Sequence, residues 1–177
     1  MYILKSYDMM RQSDKNEFVG DNILIRIVQL HEQEEKKKAT REVLESLEDW
    51  FGIPEAREEY IAKSVNQLFW CAYDDDKIIG FLYLYETGKD TVELYVMGVR
   101  KEYHRKGIGR TLFNAAYESA KINGYSFIQV KTVQMGKYED YDNTNMFYLS
   151  LGFKEFEVFP TLWDEWNPCQ VYVMSIK

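Results

Sequence analysis

Val99-Arg100-Lys101-Glu102-Tyr103-His104-Arg105-Lys106-Gly107-Ile108-Gly109-Arg110 ends an apolar, strand-like run and opens an amphipathic helix through a basic turn that holds two glycines. The first backbone N–H groups of a helix have no intrahelical partner, and the macrodipole adds partial positive charge there. An anion over such a turn satisfies both. Gly107 and Gly109 carry no Cβ, which lets a ligand come close to the main chain. Charge agrees: residues 100 to 110 hold five Lys/Arg against Glu102 alone, whereas the whole chain holds 22 basic and 29 acidic residues. This local reversal of sign marks a phosphate site; the plainer reading is a solvated basic turn ahead of a helix. A dinucleotide fingerprint is excluded by Leu112, which stands where a third small residue is needed, and by the lack of an acidic residue closing the next strand, Tyr125 to Val133. A P-loop is excluded because no Gly-Lys-Ser/Thr end is present.

The 177 residues suit one domain, and 46% hydrophobic with 29% charged residues is a globular composition. No apolar run approaches the roughly 20 residues that span a bilayer, and Asp8, Arg11 and Asp14 interrupt any signal-like start. The expectation is a cytoplasmic protein with no membrane partner. Cys71 and Cys169 lack C-x-x-C spacing and read as buried reduced thiols, while His31 and His104 are too few and too far apart for a metal cluster, so no metal is expected. A net charge of −7 disfavours nucleic acid as a partner and suits cationic ones.

Outward from the turn, Thr91 to Val99 reads as the strand entering it, and Gly107 to Asn123 as the helix leaving it, closed by Gly124. Upstream the pattern predicts a strand over Ile23 to Leu30, helices over Glu34 to Phe51 and Glu55 to Gln67, and a hairpin of Leu68 to Tyr73 with Ile78 to Tyr85. Downstream it predicts a strand over Tyr125 to Val133, a short helix around Thr144 to Leu151, and strands over Phe153 to Phe159 and Gln170 to Ile176. Residues 1–21 read as an N-terminal extension and 22–177 as the folded domain. The order is βααβββαβαββ, a mixed α/β fold of about seven strands and about four helices.

That order, with a glycine-bearing basic turn after the fourth strand, resembles the GNAT superfamily of acyl-CoA N-acyltransferases. Two motifs carry the resemblance. Val99 through Gly109 is similar to the family's Q/R-x-x-G-x-G/A pyrophosphate loop, and Tyr148-Leu149-Ser150-Leu151-Gly152-Phe153 to its Tyr-x-x-x-Gly-Phe signature. His104 stands where the pattern usually has Gln or Arg, and Tyr141 where many members carry Asn. The resemblance implies a strongly twisted mixed sheet whose fourth and fifth strands splay around acetyl-CoA, the acyl donor. Main-chain groups of Met97, Gly98 and Val99 would then meet the pantetheine, and Arg105, Lys106, Gly107, Ile108, Gly109, Arg110 and Thr111 the diphosphate. Asn145 would touch the cofactor in the role that Asn plays at the Tyr141 position in other members. Gly98 fits either the bulge that starts the splay or a glycine kept for packing.

An N-acetyltransferase needs a base for the amine and a proton for the departing thiolate. By position in the family pattern the base is Glu93, acting through water; a solvent-exposed strand-end Glu is the alternative. Tyr148 is the corresponding proton donor, or else a packed aromatic. Main-chain N–H near Val99 would stabilise the oxyanion. The acceptor implied is the primary amine of a small molecule, reacting directly in a ternary complex, and a homodimer is implied because many members form one. A noncatalytic acyl-CoA sensor, a different acyl chain and a protein amine stand as alternatives. Trp50, Phe51, Tyr60 and Trp163-Asp164-Glu165-Trp166-Asn167 fit either a cation-binding acceptor pocket or core and dimer contacts.

Overall fold

A computed structural model describes residues 15–20 and 23–177, with side chains from residue 25 onward. Its elements are β1 Lys15–Gly20, β2 Ile23–Leu30, α1 Gln33–Leu44, α2 Glu48–Phe51, α3 Pro54–Ser64, β3 Leu68–Asp74, β4 Lys77–Gly88, β5 Thr91–Val99, a 3₁₀ turn Lys101–Tyr103, α4 Ile108–Ile122, β6 Phe127–Val133, α5 Glu139–Leu151, β7 Lys154–Phe159 and β8 Cys169–Ser175. The mixed sheet has the strand order β1-β2-β3-β4-β5-β6-β8-β7. Among the described residues there are thus eight strands and five α-helices. The additional strand, β1, pairs antiparallel with β2 inside the stretch read as an extension, whose residues 1–14 and 21 lie outside the described residues.

Three expected boundaries move for local reasons. The helix expected over Glu34 to Phe51 divides at Leu47, whose backbone (φ −123°, ψ 48°) leaves the helical region while its side chain is buried. Ser46 Oγ donates to the Val43 carbonyl at 2.7 Å, a side-chain bond that competes with the helical ladder. The helix expected to start near Thr144 begins at Glu139, where Glu139, Asp140 and Asp142 in its first turn complement the macrodipole. β4 runs on to Gly88, and only Lys89 and Asp90 connect it to β5, so the two form an antiparallel hairpin.

The chain forms two compact units: residues up to Tyr83 with Val96–Ala116, and Leu84–Tyr95 with Tyr117–Lys177. In the first unit Phe69 stacks on Phe81 and on Tyr83, with ring centroids 5.4 and 5.9 Å apart, and all three are fully buried. The buried Lys36 ammonium donates to the Val65 and Gln67 carbonyls at 3.2 and 2.8 Å, capping the C-terminal end of α3. Desolvation lowers that ammonium's pKa. In the second unit β6 pairs with β8 from Phe127/Ser175 to Val133/Cys169, and α5 covers the Tyr172 face of β8. Among the described residues no helix is long and apolar enough to cross a membrane.

Candidate active site

In the first unit the turn after β5 has the backbone its sequence demands. Gly107 sits at φ +81° and its carbonyl accepts the Thr111 N–H at 3.0 Å, so it caps α4 and leaves the N–H groups of Ile108 and Gly109 outside the helical ladder. Arg105, a non-glycine at φ +60°, also lies in the left-handed region, a strained geometry of the kind retained at functional turns. Tyr103 anchors the turn. Its ring is buried, its O–H donates to Asp74 Oδ2 at 2.7 Å, and Lys106 Nζ lies 5.1 Å from the ring centroid.

Two of the five basic residues are already engaged by other groups of the protein. Arg100 Nε donates to the Ile78 carbonyl at 2.7 Å, and Lys101 pairs with Asp49 and lies over the Trp50 ring. His104 Nε2 lies 2.6 Å from the Val99 carbonyl oxygen, and because a carbonyl only accepts, that nitrogen carries a proton. His104 therefore folds back onto the strand end.

The Arg100 N–H donates to the Ile79 carbonyl at 2.8 Å, toward β4. Main-chain groups alternate sides along an antiparallel pair, so those of Met97 and Val99 point away from β4. Gly98 meets a packing demand: a Cβ there would lie 2.9 Å from Val43 Cγ1 and 3.0 Å from Leu47 Cδ1. Of the two readings left open by the sequence, the structure supports packing. The parallel ladder of β5 with β6 runs from Thr91/Phe127 to Leu94/Val130 and ends there, while β5 continues to Val99.

The second unit carries the acid–base candidates. Glu93 is 5% exposed, not a solvent-facing strand end. Its Oε2 accepts from Lys131 Nζ in a close ion pair and from Gln129 Nε2 at 3.1 Å. Lys131 and Gln129 stand two apart on β6, opposite Val171 and Val173, so all share one sheet face. Sequence reasoning missed Lys131; a lysine inside the apolar alternation of a strand, diagonal to an acid on its neighbour, was the available signal.

Tyr148 lies on the opposite face of that sheet. It is 8% exposed, with its ring centroid 6.0 Å from Phe153 and 6.4 Å from Tyr172. Burial, with the nearby Tyr141, pushes its phenol well above the usual range. Gly152, at φ +105°, ends α5, and the Phe153 N–H reaches the Tyr148 carbonyl at 3.3 Å. The Tyr-x-x-x-Gly-Phe run is thus a helix stop that packs the phenylalanine on the tyrosine. Asn145 is fully buried, and its amide is hydrogen-bonded within the protein. Its Nδ2 donates to the Val133 and Tyr141 carbonyls at 3.0 and 2.7 Å, and its Oδ1 accepts from Tyr172 O–H at 2.6 Å.

The acetyltransferase (GNAT) domain family matches residues 65–155, half of the chain. The chain belongs to the GNAT acetyltransferase family. The matched stretch holds both the basic turn and Tyr148, and leaves out Trp50, Phe51, Tyr60 and the Trp163–Asn167 loop, the residues weighed for an acceptor pocket. A GNAT-family protein from Desulfovibrio desulfuricans has a similar structure, with a TM-score of 0.74 at 18% identity over 86% of this chain and 99% of that one. An aminoglycoside 6'-N-acetyltransferase solved with coenzyme A has a TM-score of 0.66 at 19% identity over 85% and 97%. The N-acetylaspartate synthetase of Xenopus tropicalis is 33% identical over 100 residues, which are 55% of this chain and 34% of that protein, so the match spans about a third of that relative's length.

In the Trp163–Asn167 loop, Asp164 Oδ1 accepts the Trp166 and Asn167 N–H groups, both at 2.8 Å, and Asn167 Nδ2 at 3.0 Å. The Asn167 side-chain bond leads these in lowering the Asp164 pKa. Trp166 is left 77% exposed, and Trp50 and Phe51 are half-buried beside His104 and Tyr60.

Proposed function

We propose that the protein is an acetyl-CoA-dependent N-acetyltransferase that acetylates the primary amine of a small molecule by direct attack in a ternary complex. The observation that carries this is the turn itself: a glycine cap at φ +81° and a helix N-terminus whose first N–H groups lie among exposed cations. These groups fit a diphosphate, and the N–H groups of Ile108, Gly109 and Arg110 with the Arg105 and Lys106 side chains would hold it. The donor supplies the thioester. The chain's own residues do the rest. Main-chain N–H at Met97 or Val99, turned from β4, meets charge developing on the carbonyl oxygen, a contact worth about 3 kcal/mol in comparable sites. Glu93 takes the proton of the attacking amine.

From the face opposite Glu93, past the point where the β5/β6 ladder ends at Leu94/Val130, Tyr148 would offer its O–H to the departing sulfur. A phenol raised by burial is a weak acid toward a thiolate whose ordinary pKa is about 8.5, so its contribution is a hydrogen bond rather than complete proton transfer. The relative named for N-acetylaspartate bears an acetylated amino acid in its name, which supports a small acceptor. The free thiols Cys71 and Cys169 suit a cytoplasmic setting, and exposed Phe156 on the edge strand β7 suits a homodimer, which light scattering would test.

Thiol release from acetyl-CoA over a panel of amines tests the reading. Turnover with at least one amine is expected. Cofactor binding without release from any amine would favour an acyl-CoA-binding module instead, a reading that gains from Glu93 Oε2 already being taken by Lys131 and Gln129.

A further inference from the structure

We infer that Lys131 selects the acceptor: it receives a carboxylate borne a few bonds from the reacting amine, and in doing so gives up Glu93 to that amine. The inference rests on the acetyltransferase reading and adds the acceptor's chemical class, an amine that carries its own acid.

A base meant for an ordinary cationic amine gains nothing from an ammonium in direct contact with it, because that ammonium repels the incoming positive charge. The Lys131 ammonium nevertheless lies against Glu93 on the sheet face away from α5 and Tyr148. The pair is also asymmetric. The Glu93 side chain is 6% exposed and fixed, whereas that of Lys131 is 28% exposed and ends a flexible four-carbon stem. Gln129 Nε2 holds Glu93 Oε2 at 3.1 Å and lies 3.4 Å from Thr87 Oγ1, so the carboxylate keeps a donor when the ammonium turns away.

An acceptor with both a carboxylate and an amine matches this pair charge for charge. Its carboxylate replaces Glu93 as the partner of Lys131, and its ammonium replaces Lys131 as the partner of Glu93. Every charge stays paired through the exchange, which is the condition under which buried ions are tolerated. A diamine or an amino ester completes only half of the exchange and leaves Lys131 facing another cation. The proton ledger balances: the ammonium gives one proton to Glu93, the freed nitrogen lone pair attacks the thioester carbonyl, the carbon–sulfur bond breaks, and the second nitrogen proton leaves with the sulfur, which departs as the free thiol of coenzyme A.

The experiment measures acetyl-CoA thiol release with free amino acids, their methyl esters and a simple diamine, on wild type, Lys131→Met and Lys131→Arg. The wild type should favour the free acid over its ester by about tenfold or more in kcat/KM, the scale of one charge-assisted contact. Lys131→Met should erase that ratio, leaving the KM for acetyl-CoA unchanged, and Lys131→Arg should retain it. If Lys131→Met fails to fold, the wild-type ratio and its retention in Lys131→Arg decide. Esters or diamines used as well as free acids, or an unchanged ratio in Lys131→Met, would overturn the inference while the acetyltransferase reading stands. No release with any amine would overturn both.

Discussion

The turn of Val99 to Arg110 and the Glu93–Lys131 pair are two charged regions built in opposite ways. The turn is made from consecutive residues, lies at the surface, and depends on main-chain N–H groups and φ angles that its glycine and Arg105 supply locally. The pair is made from residues 38 apart in the chain, brought together by the β5/β6 ladder, and Glu93 is buried. A backbone site depends little on the side chains around it. A buried ionic site is set by each partner, because losing one leaves the other uncompensated.

The sharpest way to break this contrast is Glu93→Gln. Turnover should fall by about 10²–10⁴-fold, the usual share of a general base, with the KM for acetyl-CoA little changed. A retained rate in steady-state assays would remove Glu93 from the chemistry. Next in size is Asn145→Ala, which orphans the Tyr172 hydroxyl and the Val133 carbonyl. A loss of about 1–3 kcal/mol in urea unfolding is expected, with an unchanged KM for acetyl-CoA. A selective rise in that KM would place Asn145 at the cofactor site.

Gly107→Ala places a Cβ at φ +81° and should cost about 1–2 kcal/mol, with a severalfold rise in the KM for acetyl-CoA. An unaltered KM would detach the turn from the cofactor. The pH effect is smaller and has a definite sign. The Tyr148 phenol is raised by burial, so its share of stability is present below the ordinary phenol value of about 10 and is lost as pH climbs beyond it. Alkaline melting curves of Tyr148→Phe should be correspondingly flatter than those of wild type. Smallest is the response of the thiols. Burial pushes Cys169 up to about 11 and Cys71 up to about 12, so neither should react with a thiol reagent at neutral pH until the protein unfolds.

Much of this molecule was legible in its residues. The strand, basic turn and helix around Gly107 follow from alternation, glycine placement and helix-end physics, all of which act over a few neighbouring residues. So does the Tyr148 to Phe153 stop, where Gly152 takes the left-handed backbone that closes α5. Legibility failed where a residue's role depends on partners distant in sequence. Leu47 breaks a helix because its side chain packs where Gly98 has none. Asn145 reads as an available amide on a helix, yet it ties α5 to β6 and β8.

The sequence alone determined the order of elements from Ile23 onward, apart from the division at Leu47, together with the glycine-bearing basic turn and the resemblance to the family, because these rest on local periodicity and on the spacing of short motifs. Only the tertiary structure decided that Glu93 is paired with Lys131, that Gly98 is a packing glycine and that Asn145 is a core tie. Those are properties of strand pairing and burial, which bring together atoms that no stretch of neighbouring residues contains.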